Sequence, residues 1–186
     1  VVPGGPITSI ATKRGDQGKT DLYLGRRISK DHPRVEAFGD LDELCAHLGL
    51  ARSLLKEEET SKMVERIQRE LFIIGAEVAV TPGQIRKLKK RIDKSYVERL
   101  DQELARFEKD AHFEACCFYL PGESTLAASL DIARTVARRV ERRMVTLTNR
   151  GLIRNPHILA YLNRLSDLLF VLSRYYEPES RKLAYD

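Results

Sequence analysis

The stretch from Leu126 to Leu147 constrains this chain more than any other. Its apolar residues Leu126, Leu130, Ala133, Ala137, Val140, Met144 and Leu147 recur in alternating steps of four and three. That spacing is the seam of a helix packed at a shallow, left-handed angle against its neighbours. It predicts a helix over about 125–149. Similar stripes predict helices over about 40–55 (Leu41, Leu44, Cys45, Leu48, Ala51, Leu55) and 61–80 (Val64, Ile67, Leu71, Ile74, Val78). A third runs from about 95 along Val97, Leu100, Leu104 and Phe107, with Ser95-x-x-Glu98 as its capping box. The last starts with Asn155 as cap and Pro156 in the first turn, then turns Ile158, Leu162, Leu165, Leu169, Leu172 and Tyr176 inward before Pro178.

Residues 1–35 lack helical periodicity and are rich in Gly, Pro, Lys and Thr, so they read as an extended loop arm. No strand ladder is expected. The expected fold is all-α: a single domain over 1–186, with the arm at 1–35, a five-helix up-and-down bundle over 36–178 and a tail at 179–186.

At 186 residues the chain can bury a stable core, and 42% apolar residues exclude a disordered class. No apolar run spans a bilayer, and no signal-peptide pattern opens the sequence. A cytoplasmic protein with no membrane partner is therefore expected. Because the chain begins at Val1 rather than Met, organelle import stays open. Cys45, Cys116 and Cys117 fit neither a disulfide framework nor a zinc site and read as small buried residues. The net charge of +5 is modest, but much of it gathers in 86–94 and 134–143, which points to an anionic partner.

Three features carry potential chemistry. The loop Thr12-Lys13-Arg14-Gly15-Asp16-Gln17-Gly18-Lys19-Thr20 has the backbone freedom, cations and hydroxyls that cradle an anion. Its spacing is not that of a Walker A loop, and a solvated turn explains it equally. In the seam helix, Arg134, Arg138, Arg139, Arg142 and Arg143 surround a single Glu141. Either this is a salt-bridged surface or the guanidiniums bind phosphate, of a nucleotide or of nucleic acid. Asn163, Arg164, Ser166 and Asp167 interrupt the apolar last helix and need partners, from the protein or from a ligand. Asp40, Asp42 and Glu43 suit the first helix's dipole. His32, His47, His112 and His157 are scattered, and no nucleophilic triad or metal-ligand set can be assembled. An enzyme built this way holds two reactants together.

The motifs Thr12-Lys-x-Gly-Asp-x-Gly-x-Thr20, Ser29-Lys30-Asp31, Arg34-Val35-Glu36-Ala37-Phe38-Gly39 with Asp42-Glu43-Leu44, Phe118-x-Leu-Pro-Gly122, Ala133-Arg134-x-x-x-Arg138-Arg139-x-Glu141-Arg142 and Asn163-Arg164-Leu165-Ser166-Asp167 occur in this order. Together they resemble the propanediol-utilisation-type ATP:cob(I)alamin adenosyltransferases. The resemblance implies a homotrimer with sites between subunits and transfer of the 5′-deoxyadenosyl group of ATP to the cobalt of a reduced corrinoid, releasing triphosphate. Mg²⁺ would ride on ATP, with no protein side chains as its ligands. Thr12, Lys13, Arg14, Gly15, Thr20, Lys30, Arg138, Arg139, Glu141, Arg142 and Asn163 would bind ATP. Arg138, Arg142, Asp42 and Arg134 would serve catalysis, Asp42 pairing with Arg134 across the interface. Phe118, Ser166 and Asp167 would contact the corrinoid, Phe118 displacing its lower ligand, although Phe118 also suits a core. A flavoprotein reductase and an adenosylcobalamin-dependent acceptor enzyme are implied partners. The alternative function is an Arg-rich helical nucleic-acid-binding module. Glu123 stands where the family usually carries a second glycine, and 86–94 matches nothing in it.

Overall fold

The computed structural model describes residues 11–24, 27–111, 113–114, 117–177 and 182–183. Five α-helices dominate: α1 (Pro33–Leu54), α2 (Glu58–Val78), α3 (Lys94–Glu108), α4 (Thr125–Asn149) and α5 (Pro156–Tyr175), with a 3-10 turn at Pro82–Lys87. The α4 seam is buried from Leu130 to Leu147, and Leu126 is half-buried. α4 lies between α1 and α5, α5 packs on α3, and α1 packs on α2. Ion pairs Arg99–Glu70 (3.1 Å), Arg66–Glu103 (3.2 Å) and Arg106–Glu59 (2.6 Å) join α2 to α3. The ring order is therefore α1, α2, α3, α5, α4, because the long connection after α3 carries the chain past α5 to enter beside α1. Among the described residues, no helix is long and apolar enough to cross a membrane.

The Asn155 cap is as read: Asn155 Oδ1 accepts from His157 N (3.1 Å), and Pro156 opens α5. Ser124 caps α4, accepting from Ala127 N (3.1 Å). α1 starts at Pro33, well before residue 40, because His32 Nδ1 accepts from Arg34 N (3.1 Å) and Pro33 occupies the first turn. Gly39 sits inside this helix and hides its continuity. The cap of α3 is Asp93 rather than Ser95. Its carboxylate accepts from Ser95 N (2.9 Å) and Ser95 Oγ (2.6 Å). Cys45 and Cys117 are only half-buried, and Cys116 lies outside the described residues, as do Pro178 and most of the tail.

The arm is not wholly a loop. β1 (Lys19–Asp21) and β2 (Arg27–Ser29) pair antiparallel, with Lys19 opposite Ser29 and Asp21 opposite Arg27. Beyond β1, Tyr23 N donates to Ala79 O (3.2 Å), which fastens the hairpin to the end of α2. A second short bridge joins Tyr119 to Lys182.

The basic connector 84–94 is pinned by one buried carboxylate. Glu77, with its side chain 1% exposed, accepts from Ile92 N (2.8 Å), Asn155 Nδ2 (3.0 Å) and Arg91 Nε (3.2 Å). Glu77→Ala leaves buried donors without acceptors, so it is expected to cost about 3 kcal/mol. Urea denaturation should show a lower midpoint with an unchanged slope.

Candidate active site

The hairpin assembles one cationic cluster. Register brings Lys30 back beside the loop, where Lys30 N donates to Gly18 O (2.8 Å). Gly18 turns with φ 71° and Lys13 with φ 58°, both in the left-handed region. A Cβ on Gly15 would lie 2.9 Å from Lys30 Nζ, so glycine lets the ammonium settle against the loop. Thr12, Lys13 and Lys30 are exposed and Thr20 is half-buried. Arg14 pairs with Asp21 (2.8 Å).

A second cationic cluster lies on α4 and α5. Here the lone Glu141 is not the only counter-charge for the arginines. α1 supplies three more: Arg139 pairs with Asp40 (3.4 Å) and with Glu43, and Arg143 pairs with Glu36 (2.9 Å) and Asp40 (3.3 Å). The acidic turn of α1 thus ties it to α4, beyond any dipole effect. These pairs sort the arginine helix into two faces. Arg139 and Arg143 clamp α1, whereas Arg138 and Arg142 are exposed and have no side-chain partner among the described residues. On α5, Asn163 is exposed and its Nδ2 donates to Glu141 Oε1 (3.4 Å), so it is not a mid-bundle polar group as its neighbours suggested. Asp167 pairs with Arg164 (3.2 Å), which also holds Asp101 of α3. Ser166 is 2% exposed, and its hydroxyl donates to Asn163 O (2.8 Å).

Arg134 Nε donates to Asp131 Oδ1 (2.8 Å) within its own helix. Asp42 lies exposed along an apolar groove of about 530 Å³ between the hairpin, α1 and α2, with Tyr23, Phe38, Cys45 and Phe72. Phe72 and Tyr23 are 68% and 52% exposed there. Burial pushes the Cys45 thiol up, opposed by the Gln68 hydrogen bond, and the Asp42 charge adds to the rise. That rise disfavours the thiolate. Phe118 is 65% exposed, which excludes the core reading. Leu183 N donates to its carbonyl (2.9 Å). Among the described residues, no hydrogen bond or ion pair joins the hairpin loop to Arg138 or Arg142. The two cationic clusters are separate in one copy.

Comparison with known proteins places these features in one family. The model of the cobalamin adenosyltransferase family matches residues 10–176, so the chain belongs to that family. It is 41% identical over 170 residues to the corrinoid adenosyltransferase PduO of Salmonella typhimurium, a match covering 89% of this chain and 49% of the relative. The chain thus spans about half the length of that PduO protein. It spans 93% of a corrinoid adenosyltransferase from Citrobacter freundii, at 36% identity over 89% of this chain. Among solved structures, a variant PduO-type ATP:corrinoid adenosyltransferase from Lactobacillus reuteri, complexed with cobalamin and ATP, superposes with a TM-score of 0.85. It is 32% identical, with 95% of this chain and 96% of that one covered.

The sorting of the arginines makes a direct test. Arg139→Ala should lower stability by about 1 kcal/mol, the scale of a partly exposed ion-pair network. Arg138→Ala and Arg142→Ala should leave the denaturation midpoint in place. Equal destabilisation by all three would remove the distinction between clamping and spare cations.

Proposed function

We propose that the chain transfers the 5′-deoxyadenosyl group of ATP to the cobalt of a reduced corrinoid. The observation that carries the reading is the pair of cationic half-sites whose Lys13, Lys30, Arg138 and Arg142 pair with no carboxylate among the described residues. Everywhere else on the helices, arginine is largely spent on ion pairs. Spare guanidiniums and a glycine-turned loop suit a triphosphate, since planar forks and backbone amides both match phosphate oxygens. Thr12, Lys13, Gly15, Thr20 and Lys30 would hold it from the hairpin. Arg14, now on Asp21, joins them by exchanging that partner. Arg138, Arg139, Glu141, Arg142 and Asn163 would hold the nucleotide from the bundle, with Arg139 also setting α1 against α4. No three His, Cys, Asp or Glu side chains converge among the described residues. Mg²⁺ would be carried by the triphosphate oxygens.

In the proposed step, electron-rich Co(I) attacks C5′ of ATP, a cobalt–carbon bond forms, and the C5′–oxygen bond breaks to release triphosphate. The nucleophile belongs to the substrate, which accounts for a site without a catalytic Ser, Cys or His. Arg138 and Arg142 stabilise the charge that grows on the leaving group. Phe118, Asp167 and the Ser166–Asn163 turn would line the corrinoid side, with Phe118 keeping the lower ligand off cobalt. We assign the apolar groove at Phe72 to a neighbouring copy in a homotrimer, which would let Asp42 of that copy meet Arg134 and close the two half-sites on each other. The reading implies a reductase that supplies the electron and an enzyme that accepts the alkylated cofactor. A nucleic-acid-binding module would leave the hairpin loop and the Asn163–Glu141 contact without a purpose.

Anaerobic incubation with ATP and chemically reduced cobalamin should give the visible spectrum of the alkylated product. Loss of one charge-assisted phosphate contact in Arg138→Ala or Arg142→Ala should cut turnover roughly tenfold to hundredfold. Full activity in folded protein would overturn the phosphate assignment. Phe118→Ala, at an exposed position, should leave thermal stability intact. It should impair reduction of bound Co(II)-cobalamin far more than adenosylation of pre-reduced Co(I). Equal loss in both assays would remove Phe118 from the axial-ligand role. Light scattering should report a trimer, and a fully active monomer would rule out the shared site.

A further inference from the structure

A chain of buried contacts connects Arg134 to the segment that carries Phe118. Asp131, 4% exposed, divides its carboxylate between two arginines. Oδ1 accepts from Arg134 Nε (2.8 Å), at the edge of the candidate site, and Oδ2 accepts from Arg174 Nη2 (2.5 Å). The Arg174 side chain is 1% exposed and also pairs with Glu177 (2.7 Å). Its guanidinium lies over two rings, 5.5 Å from the centroid of Tyr119 and 5.5 Å from that of Phe170. Tyr119 is 8% exposed, its hydroxyl accepts from Glu114 N (2.6 Å), and its backbone bridges Lys182. The next residue back is Phe118, 65% exposed.

Packing alone does not explain this arrangement. Apolar residues of similar volume fill a bundle interior as well as a buried ion pair, or better. Neither Arg174 nor Asp131 belongs to the residues assigned to ATP or corrinoid. What the pair does uniquely is join two surfaces. Buried charges interact strongly across a low-dielectric interior, so a change in how Arg134 uses its guanidinium alters the charge Asp131 presents to Arg174. Arg174 in turn sets the position of the Tyr119 ring and the backbone next to it.

We infer that Asp131 is a positioning residue that couples ATP binding at Arg138, one helical turn from Arg134, to the placement of Phe118, through Arg134, Arg174 and Tyr119. The inference rests on the adenosyltransferase reading for the role of each end. Within it, ATP binding prepares the corrinoid half of the site before any corrinoid arrives. Asp131 touches neither substrate and acts through its two arginines.

The chain contains no tryptophan, so a Phe118→Trp variant carries a single indole that reports on this segment without any turnover. Titration with ATP alone should shift its emission maximum. Adding Asp131→Asn should abolish that shift at saturating ATP, while calorimetry shows ATP still bound. Arg134→Gln breaks the same path at its accessible end and should abolish the shift too, which keeps the test in force if Asp131→Asn fails to fold. An indole that responds equally with and without these substitutions overturns the coupling, as does one that ignores bound ATP when Asp131 is intact. Failure of the unsubstituted chain to bind ATP in calorimetry overturns the functional reading itself and is seen separately.

Discussion

The structure depends on α4 having two obligations at once. Its seam must be buried between α1 and α5, yet the same helix carries a dense row of guanidiniums that cannot follow it inside. The conflict is resolved by rotation around the helix. Leu130, Ala133, Ala137, Val140, Met144 and Leu147 take the core, Arg139 and Arg143 reach sideways to Asp40, Glu43 and Glu36, and Arg138 and Arg142 are left facing solvent. The counter-charges that clamp α1 thereby decide which arginines stay uncommitted. Fold and site are two readouts of one helical wheel.

Much of this was legible from residue spacing. The α4 seam, the Asn155-Pro156 start of α5 and the Gly/Thr/Lys loop are all local patterns, and each appears where the sequence puts it. The early start of α1 was harder to see, because Gly39 breaks the pattern and the cap is a histidine ring nitrogen. The hairpin escaped because three-residue strands are too short to show an alternation. Asp40 and Glu43 looked like dipole partners, since nothing local reveals that Arg139 and Arg143 approach from about a hundred residues away.

Buried charge was the largest blind spot. Arg174 sits in the last turn of α5 and Asp131 next to the seam, so hydrophobic periodicity treats both as surface positions. Their burial becomes intelligible only when Asp131, Arg174 and Glu177 are seen together, each neutralising what the others bring. Glu77 and Glu70 follow the same logic at α2, gathering donors from α3, α5 and the basic connector. The bundle uses apolar stripes to set which helices touch and a few interior carboxylates to set their register.

Arg34 shows what such an anchor means for the chain's freedom to vary. It is 3% exposed, and its guanidinium donates to Val78 O at the end of α2 and to Leu152 O (2.6 Å) in the turn between α4 and α5. A side chain of fixed reach therefore measures the distance between three separate stretches of sequence. Inserting or deleting a single residue in the α4–α5 turn would move the Leu152 carbonyl and deprive a buried cation of one of its acceptors. That turn behaves as a calibrated spacer rather than a loop. Length variation, fusions and circular permutation belong elsewhere on the molecule.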